Sequence, residues 1–226
     1  LELTAADLQA VWLTIKLAFV VVAILLLLGT PLAWWLSHGS NRLKGAVNAL
    51  VALPLVLPPS VLGFYFLIAF SPSGPIGYLT DAFGLESLAF TFEGLVLASV
   101  VYSLPFVVQP IQNAFEHLRQ DVLEVTTLMR MSKWECFFKV VLPLSKNGFV
   151  TALVLGFAHT LGEFGVVLMI GGNISGETKV ISIQIYEQVE SLQYQRAHTL
   201  SLLLLVISFT CLMLISLVNK RWSFTR

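Results

Sequence analysis

The sequence predicts an all-α, polytopic transmembrane bundle of five spans, and three observations carry that prediction. Hydrophobic residues make up 57% and charged residues only 12% of the 226 positions, with a mean hydropathy of +0.84, whereas soluble domains are about 45–50% apolar. Five segments reach the roughly 20 apolar residues that a helix rising 1.5 Å per residue needs to cross a bilayer. They run over 11–36, 46–70, 94–114, 148–170 and 200–218. Basic residues, finally, collect in alternate connections, as they do in multi-pass proteins. Every backbone amide inside lipid needs an internal partner, so the spans are expected to be helices.

The first span is expected to stay in the membrane. Its leader LELTAADLQ is acidic, unlike a cleaved signal, and its uncharged part, 17–36, is long enough to cross. Trp12 and the Trp34–Trp35 pair would lie about 33 Å apart along a helix, the separation of two interfacial aromatic belts. Lys16 sits one turn inside Trp12 and can snorkel outward. Span two contains LPLVLPPSVLG, with Pro54, Pro58 and Pro59 in an uncharged run. Prolines free backbone groups, which a bilayer tolerates only where protein or a water-filled cavity satisfies them. That places Pro58, Pro59 and Ser60 on a pathway, with a kink for packing as the alternative. Pro105 and Pro110 predict a similar break in span three.

Span four reads AHTLGEFGVVLMIGGN, and His159 and Glu163 stand at i, i+4, hence on one face of a helix. Carboxylates are costly in lipid and face a bundle interior or water. Two readings stay open: His159, Thr160 and Glu163 line a translocation pathway, or they bond one another and the backbone to hold helices in register. Gly156, Gly162 and Gly165 would allow close helix approach. Beyond this span, Ile181, Ile185, Val189 and Leu192 recur at helical spacing and predict a short interfacial helix.

Ten basic residues fall in one set of connections: Arg42, Lys44, Arg119, Arg130, Lys133, Lys139, Lys146, Lys220, Arg221 and Arg226. The opposite set holds only Lys179 and Arg196. The first set is therefore expected in the cytoplasm, with the N-terminus outside and the C-terminus inside, which requires an odd number of spans.

The cytoplasmic connection over about 115–146 is the most patterned. Leu118, Val122, Val125 and Met129 form one helical stripe, and Trp134, Phe137, Phe138 and Val141 a second. Between them SKWE, from Ser132 to Glu135, matches a capping box in which the serine hydroxyl and the glutamate carboxylate satisfy each other's backbone amides. A helix, a corner and a second helix are predicted, with Pro143 limiting the second. An amphipathic element resting on anionic lipid is the plain alternative, with Arg130, Lys133 and Lys139 on headgroups.

Composition excludes several classes. Net charge is zero, which predicts no nucleic-acid partner. The two cysteines, Cys136 and Cys211, support neither a disulfide nor a metal cage. No glycine-rich phosphate loop is present, so no catalytic residue is assigned and the chain is not expected to hydrolyse nucleotide alone. No internal repeat is evident, and a single domain over 1–226 is the simplest organisation.

The run E-V-T at 124–126, Arg130, and V-x-L-P at 140–143 resembles the cytoplasmic loop signature of ABC importer permeases: E-A-A, a glycine after three further residues, and an aliphatic-x-Leu-Pro ending. Glu124, Val140, Leu142 and Pro143 match; Val125 and Thr126 replace the alanines and Arg130 replaces the glycine. Glycine suits a left-handed corner, and another residue there costs about 1 kcal/mol, so Arg130 implies a reshaped corner or tolerated strain. With LPLVLPPSVLG and HTLGEFGVVLMIGGNISGET, the chain resembles the molybdate branch of these permeases from about Leu8 to Val218, and the sulfate branch is similar around GEFG.

The resemblance implies a type I importer permease in the bacterial inner membrane. It implies two copies of the chain, two ATP-binding subunits that use the ATP, and a periplasmic oxyanion-binding protein, to which the segment around Ile181 would offer a contact. No cofactor of its own is implied. It also implies that Glu124, Leu128, Met129, Arg130, Ser132, Trp134 and Phe137 couple the permease to the ATPase. The rival from another class is a proton-coupled secondary carrier using His159 and Glu163, and a non-transporting scaffold is a third reading.

Overall fold

In the computed structural model, residues 3–38, 41–118, 126 and 128–223 are described. They form an all-α bundle. Helix α1 (Ala5–Ser37) is followed by α2 (Arg42–Ala52), a 3-10 turn (Leu53–Leu55), α3 (Pro59–Phe70), α4 (Pro75–Ala82) and α5 (Phe92–Glu116). Then come α6 (Lys133–Leu144), α7 (Lys146–Leu161), α8 (Gly165–Gly171), α9 (Ile181–Glu190) and α10 (Tyr194–Ser223). Among the described residues four helical stretches are long and apolar enough to cross a membrane, and the bent pair α6–α7 is a fifth candidate.

The centre of the bundle is α5 packed between α1 and α7. Leu13, Leu17, Val21 and Leu25 recur along one side of α1, the i, i+4 stripe that a 3.6-residue period brings to one face. Val107, Val108 and Ile111 of α5 are fully buried with them. Gly156 makes the α5–α7 approach possible, because a Cβ there would lie 2.6 Å from Val107 Cγ2. α1 begins with a Thr4–Asp7 capping box; that signal, T-A-A-D, is the same device as SKWE. Of its tryptophans Trp12 and Trp35 point outward, whereas Trp34 packs edge-on to Phe115 at 5.0 Å. Lys16 places its ammonium 4.1 Å from the Phe92 ring centre.

Three expectations are corrected by the backbone. Span two is not one kinked helix: it stops at Ala52, turns through the 3-10 segment, and restarts at Pro59 with Pro58 as its cap. Span four likewise stops at Leu161 and restarts at Gly165. Glu163 therefore lies in the break, off the helical face of His159, and Gly162 is the C-cap, not a packing contact. Span three shows the reverse: Pro105 and Pro110 both sit inside the continuous α5. A proline costs its own amide and crowds the preceding turn, and here the neighbours α1 and α7 hold α5 in line.

The outward segment after α8 does form a helix, but with a different buried face. Ile181, Ile183, Gln184 and Gln188 are buried, whereas Val189 and Leu192 are exposed. The reason is a polar demand from α1. Asp7 is buried and receives hydrogen bonds from Thr4, from Gln184 Nε2 at 3.2 Å and from Arg196 at 3.2 Å, while Ile181 N–H donates to Thr14 Oγ1 at 2.8 Å. An unpaired buried carboxylate would be far costlier than two exposed aliphatic side chains.

Gly156→Leu should lower stability by about 1–3 kcal/mol through overpacking against Val107, read as a lower midpoint of thermal unfolding in detergent, whereas Leu155→Ala, at a more exposed position on the same helix, should change it far less.

Candidate functional site

The two helix breaks meet. α8 packs on α3, and a Cβ on Gly165 would stand 2.8 Å from Pro59 Cβ and 3.5 Å from Ser60 N. On the next turn a Cβ on Gly63 would stand 2.7 Å from Met169 Cβ. LPPS and GEFG, a hundred residues apart in the chain, thus form one contact in which glycine lets one interrupted backbone lie on another. Pro58, Pro59 and Ser60 are exposed on its outer surface, and Val56 just before them is 81% exposed.

Behind this contact lies a buried polar row on α5 and α7. Ser103 Oγ is 2.9 Å from His159 Nδ1 and 3.1 Å from Thr160 Oγ1, and Thr160 also donates to the Gly156 carbonyl at 2.9 Å. The His159 ring stacks on Phe106 at 3.9 Å and packs against Tyr102 at 4.6 Å. His159 is thereby tied to α5, not to Glu163. Glu163 is 4% exposed, and neither of its side-chain oxygens has a hydrogen-bonding partner among the described residues. The Ser99 hydroxyl lies near it without a well-formed bond. The backbone of the break is pinned from outside, where Ser182 Oγ donates to the Glu163 carbonyl at 2.7 Å.

Of the pathway residues expected from sequence, Pro59 and Ser60 meet the α8 end of the GEFG break, His159 and Thr160 join through Ser103, and Glu163 sits between the two groups. Ser99, Tyr102, Ser103 and Ser182 were not anticipated. Ser99 and Ser103 did carry a signal: they repeat at i, i+4 in an apolar span and so share one face.

At the other end of α7 is an elbow. α6 and α7 meet at Ser145 at 72°. The SKWE capping box forms as expected, with Ser132 N–H donating to Glu135 Oε2 at 3.1 Å and Glu135 N–H donating to Ser132 Oγ at 3.2 Å. Arg130 takes φ +52°, so the corner keeps the left-handed shape and tolerates the strain. Thr126 holds the corner together: its carbonyl accepts from Met131 N–H at 3.1 Å and its hydroxyl contacts Cys136 Sγ at 3.3 Å.

α6 does not stop at Pro143 but runs to Leu144, and its aromatic stripe divides. A π turn over Phe137–Val141 adds a residue to the turn and rotates the side chains downstream of it. Phe137 and Val141 pack on the core, while Trp134, 74% exposed, and Phe138 stack on the outside at 6.1 Å. Leu128 and Met129, on the other side of the Arg130 corner in the chain, are exposed too. Glu124, Val122 and Val125 lie outside the described residues; Leu118 is half-buried against the core.

The comparisons with known proteins agree with this architecture. Residues 25–223 match the family described as binding-protein-dependent transport system inner membrane component. The molybdenum transport system permease protein ModB of Azotobacter vinelandii is 54% identical over 221 residues, covering 98% of this chain and 97% of that protein. ModB of Escherichia coli (strain K12) is 35% identical, covering 84% and 82%. The probable sulfate transport system permease protein cysT of Anthoceros angustus is 32% identical, covering 91% and 71%. A chain from the crystal structure of a bacterial ABC transporter that imports the acidic polysaccharide alginate superposes with a TM-score of 0.81 at 17% identity, over 97% of this chain and 80% of that one. At that identity the likeness concerns the fold.

Ser103→Ala should remove the link between α5 and the His159–Thr160 pair and lower stability by about 1–3 kcal/mol, measured by thermal unfolding, with Ser103→Thr retaining most of it.

Proposed function

This chain belongs to the family of binding-protein-dependent transport system inner membrane components, and on that premise we propose that it is the membrane-spanning subunit of an ATP-driven importer of a tetrahedral oxyanion, molybdate and its analogue tungstate first. The observation that carries the cargo is the 54% identity to a molybdenum permease across nearly the whole of both chains. The sulfate permease relatives stand further off, at 32% or less. The proposal takes residues 1–226 as one permease unit with its N-terminus outside the inner membrane and its C-terminus in the cytoplasm. Two copies assemble about a shared pore, two ATP-binding subunits consume the ATP, and a periplasmic binding protein delivers the anion. The chain itself carries out no catalysis and needs no cofactor.

The geometry supports a mechanical route. The exposed aromatic pair Trp134–Phe138, with Leu128 and Met129, offers an apolar surface of the kind that seats in a partner's groove. Force applied there acts on α6, a helix capped at Ser132 and stiffened by the Arg130 corner. It turns through the elbow at Ser145 and reaches α7. α7 ends at the break that touches α3, so a tilt of α7 works directly on the Pro59–Gly165 contact. Two states of that contact, selected by ATP-dependent closure of the partners, would open the pathway to one side or the other.

The chemistry of the pathway suits a dianion in transit. Ser60 presents an exposed hydroxyl where the spans are interrupted, and His159 and Thr160, tied to Ser103, hold the helices that line the route. Pro58 and Pro59 keep the backbone of α3 interrupted where the anion passes. Glu163 is buried beside Ser99, so its part is to organise the break.

Proteoliposomes holding this chain, the ATP-binding subunit and the binding protein should take up labelled molybdate only with ATP inside, with tungstate competing far better than sulfate. Uptake driven by a proton gradient without the ATPase would replace this reading with the secondary carrier. Trp134→Glu together with Phe138→Glu should cut molybdate uptake by about tenfold or more and weaken co-purification of the ATPase, because two charges would be desolvated at the contact; the bundle should keep its melting temperature.

A further inference from the structure

The outer side of the molecule has an electrostatic character that the positive cytoplasmic loops do not by themselves dictate. The two outward connections and the N-terminal segment contain eight carboxylates, against Lys179 and Arg196 as their only lysine or arginine outside the spans. Both cations are already engaged within the chain. Lys179 pairs with Glu187 at 2.8 Å and Arg196 with the buried Asp7 at 3.2 Å. Lys16, lower on α1, sits over the Phe92 ring. The carboxylates left exposed are Asp81, Glu86, Glu93, Glu177 and Glu190.

Asp81 and Glu86 stand in the chain among exposed apolar residues. The helix α4 and the turn after it expose Tyr78, Leu79, Phe83 and Leu85, with Phe83 at 80%, and among the described residues α4 packs chiefly on α3. The two outer connections are joined, since Phe90 N–H donates to the Ile170 carbonyl at 2.9 Å and a Cβ on Gly172 would stand 3.3 Å from the Phe90 ring. The two outer connections, which carry the exposed acids and the exposed apolar residues, therefore meet.

We infer that this outer face is the docking surface of a soluble binding protein whose contacting surface is basic, with lysines and arginines beside apolar residues that cover Phe83 and Leu85. The inference rests on the importer reading above and deepens it by giving the partner's chemistry. Charge complementarity selects that occupant: a face with several uncompensated carboxylates, and no free lysine or arginine among its described residues, attracts a basic protein and repels an acidic one. The same field repels a free dianion, so the permease does not collect its cargo from solution and depends on a carrier that brings it in neutralised form. Contacts of this type act mainly through the association rate and weaken with salt.

The test uses the full complex of permease and ATPase in nanodiscs, with the cognate binding protein loaded with molybdate. Raising salt from about 50 mM to about 500 mM should slow association at least about tenfold. The combined variant Glu86→Lys, Glu93→Lys, Glu190→Lys should slow it at low salt by a similar factor and abolish most of the salt dependence, with ATPase co-purification unchanged. Association of the wild-type complex that ignores both salt and charge reversal overturns this inference and leaves the importer reading standing. Absence of any association with the wild-type complex overturns both. A Phe83→Trp variant separates the remaining occupant: protection of its fluorescence by the binding protein supports docking, whereas quenching by brominated lipid with no effect of the protein means the face rests on the membrane and sinks the proposal.

Discussion

The structure depends on how interrupted backbone is satisfied inside an apolar medium. A continuous helix solves the problem alone, and α1 and α5 do so across 33 and 25 residues. Two spans do not. Where α2 gives way to α3 and α7 to α8, carbonyl and amide groups leave the helical ladder at depths where lipid offers no partner. The molecule brings the two breaks together at Pro59 and Gly165 and pins the second from outside through Ser182. Helices on either side of such a contact can move relative to each other without disturbing the ladders of α1 and α5. Rigidity and mobility are thereby divided between different spans of one bundle.

α7 links that contact to the elbow with α6. Its lower end is joined to α6 through a single residue, Ser145, at 72°, and α6 itself is stiffened by a capping box and a left-handed corner at Arg130. A strained residue persists only where its surroundings over-determine it. Thr126 bonds to both Met131 and Cys136 around the corner, and these bonds supply that constraint. The π turn after Cys136 has a further effect. It sends Phe137 and Val141 toward the core and leaves Trp134 and Phe138 outside, so one helix carries an anchoring face and an exposed apolar face.

Around the start of α10 polar pairing adds to the packing of Ile181, Ile183, Ala197 and Leu200. α10 is the least buried of the long helices, and Arg196 at its start is tied to Asp7 of α1. Truncating Arg196 would leave the buried Asp7 carboxylate with only its Thr4 and Gln184 donors. These internal pairs consume the cations of the outer face and leave it acidic. The same few ion pairs thus set both the closure of the bundle and its electrostatic appearance to a partner.

Much of this protein was determined by its sequence alone. The apolar run lengths dictate helices, because no other single-segment structure satisfies the backbone in lipid. The Ser132–Glu135 box and the left-handed corner were legible because both are local, decided within four residues. The prolines of LPLVLPPS marked a disturbance in span two, whereas the glycines of GEFG read only as sites of close helix approach and gave no sign of the break at Gly162. Only the tertiary structure decided which interruptions occur: Pro105 and Pro110 are carried inside an unbroken α5 because two neighbours brace it, while Gly162 ends α7. It also decided partners. Nothing in the spacing of His159 and Glu163 reveals that the first bonds Ser103 on another helix and that the second faces Ser99. Nor does the aliphatic repeat at Ile181 reveal that Asp7 would turn Gln184 inward. Periodicity reports which residues share a face, but the face that is buried depends on what the neighbouring helix must satisfy.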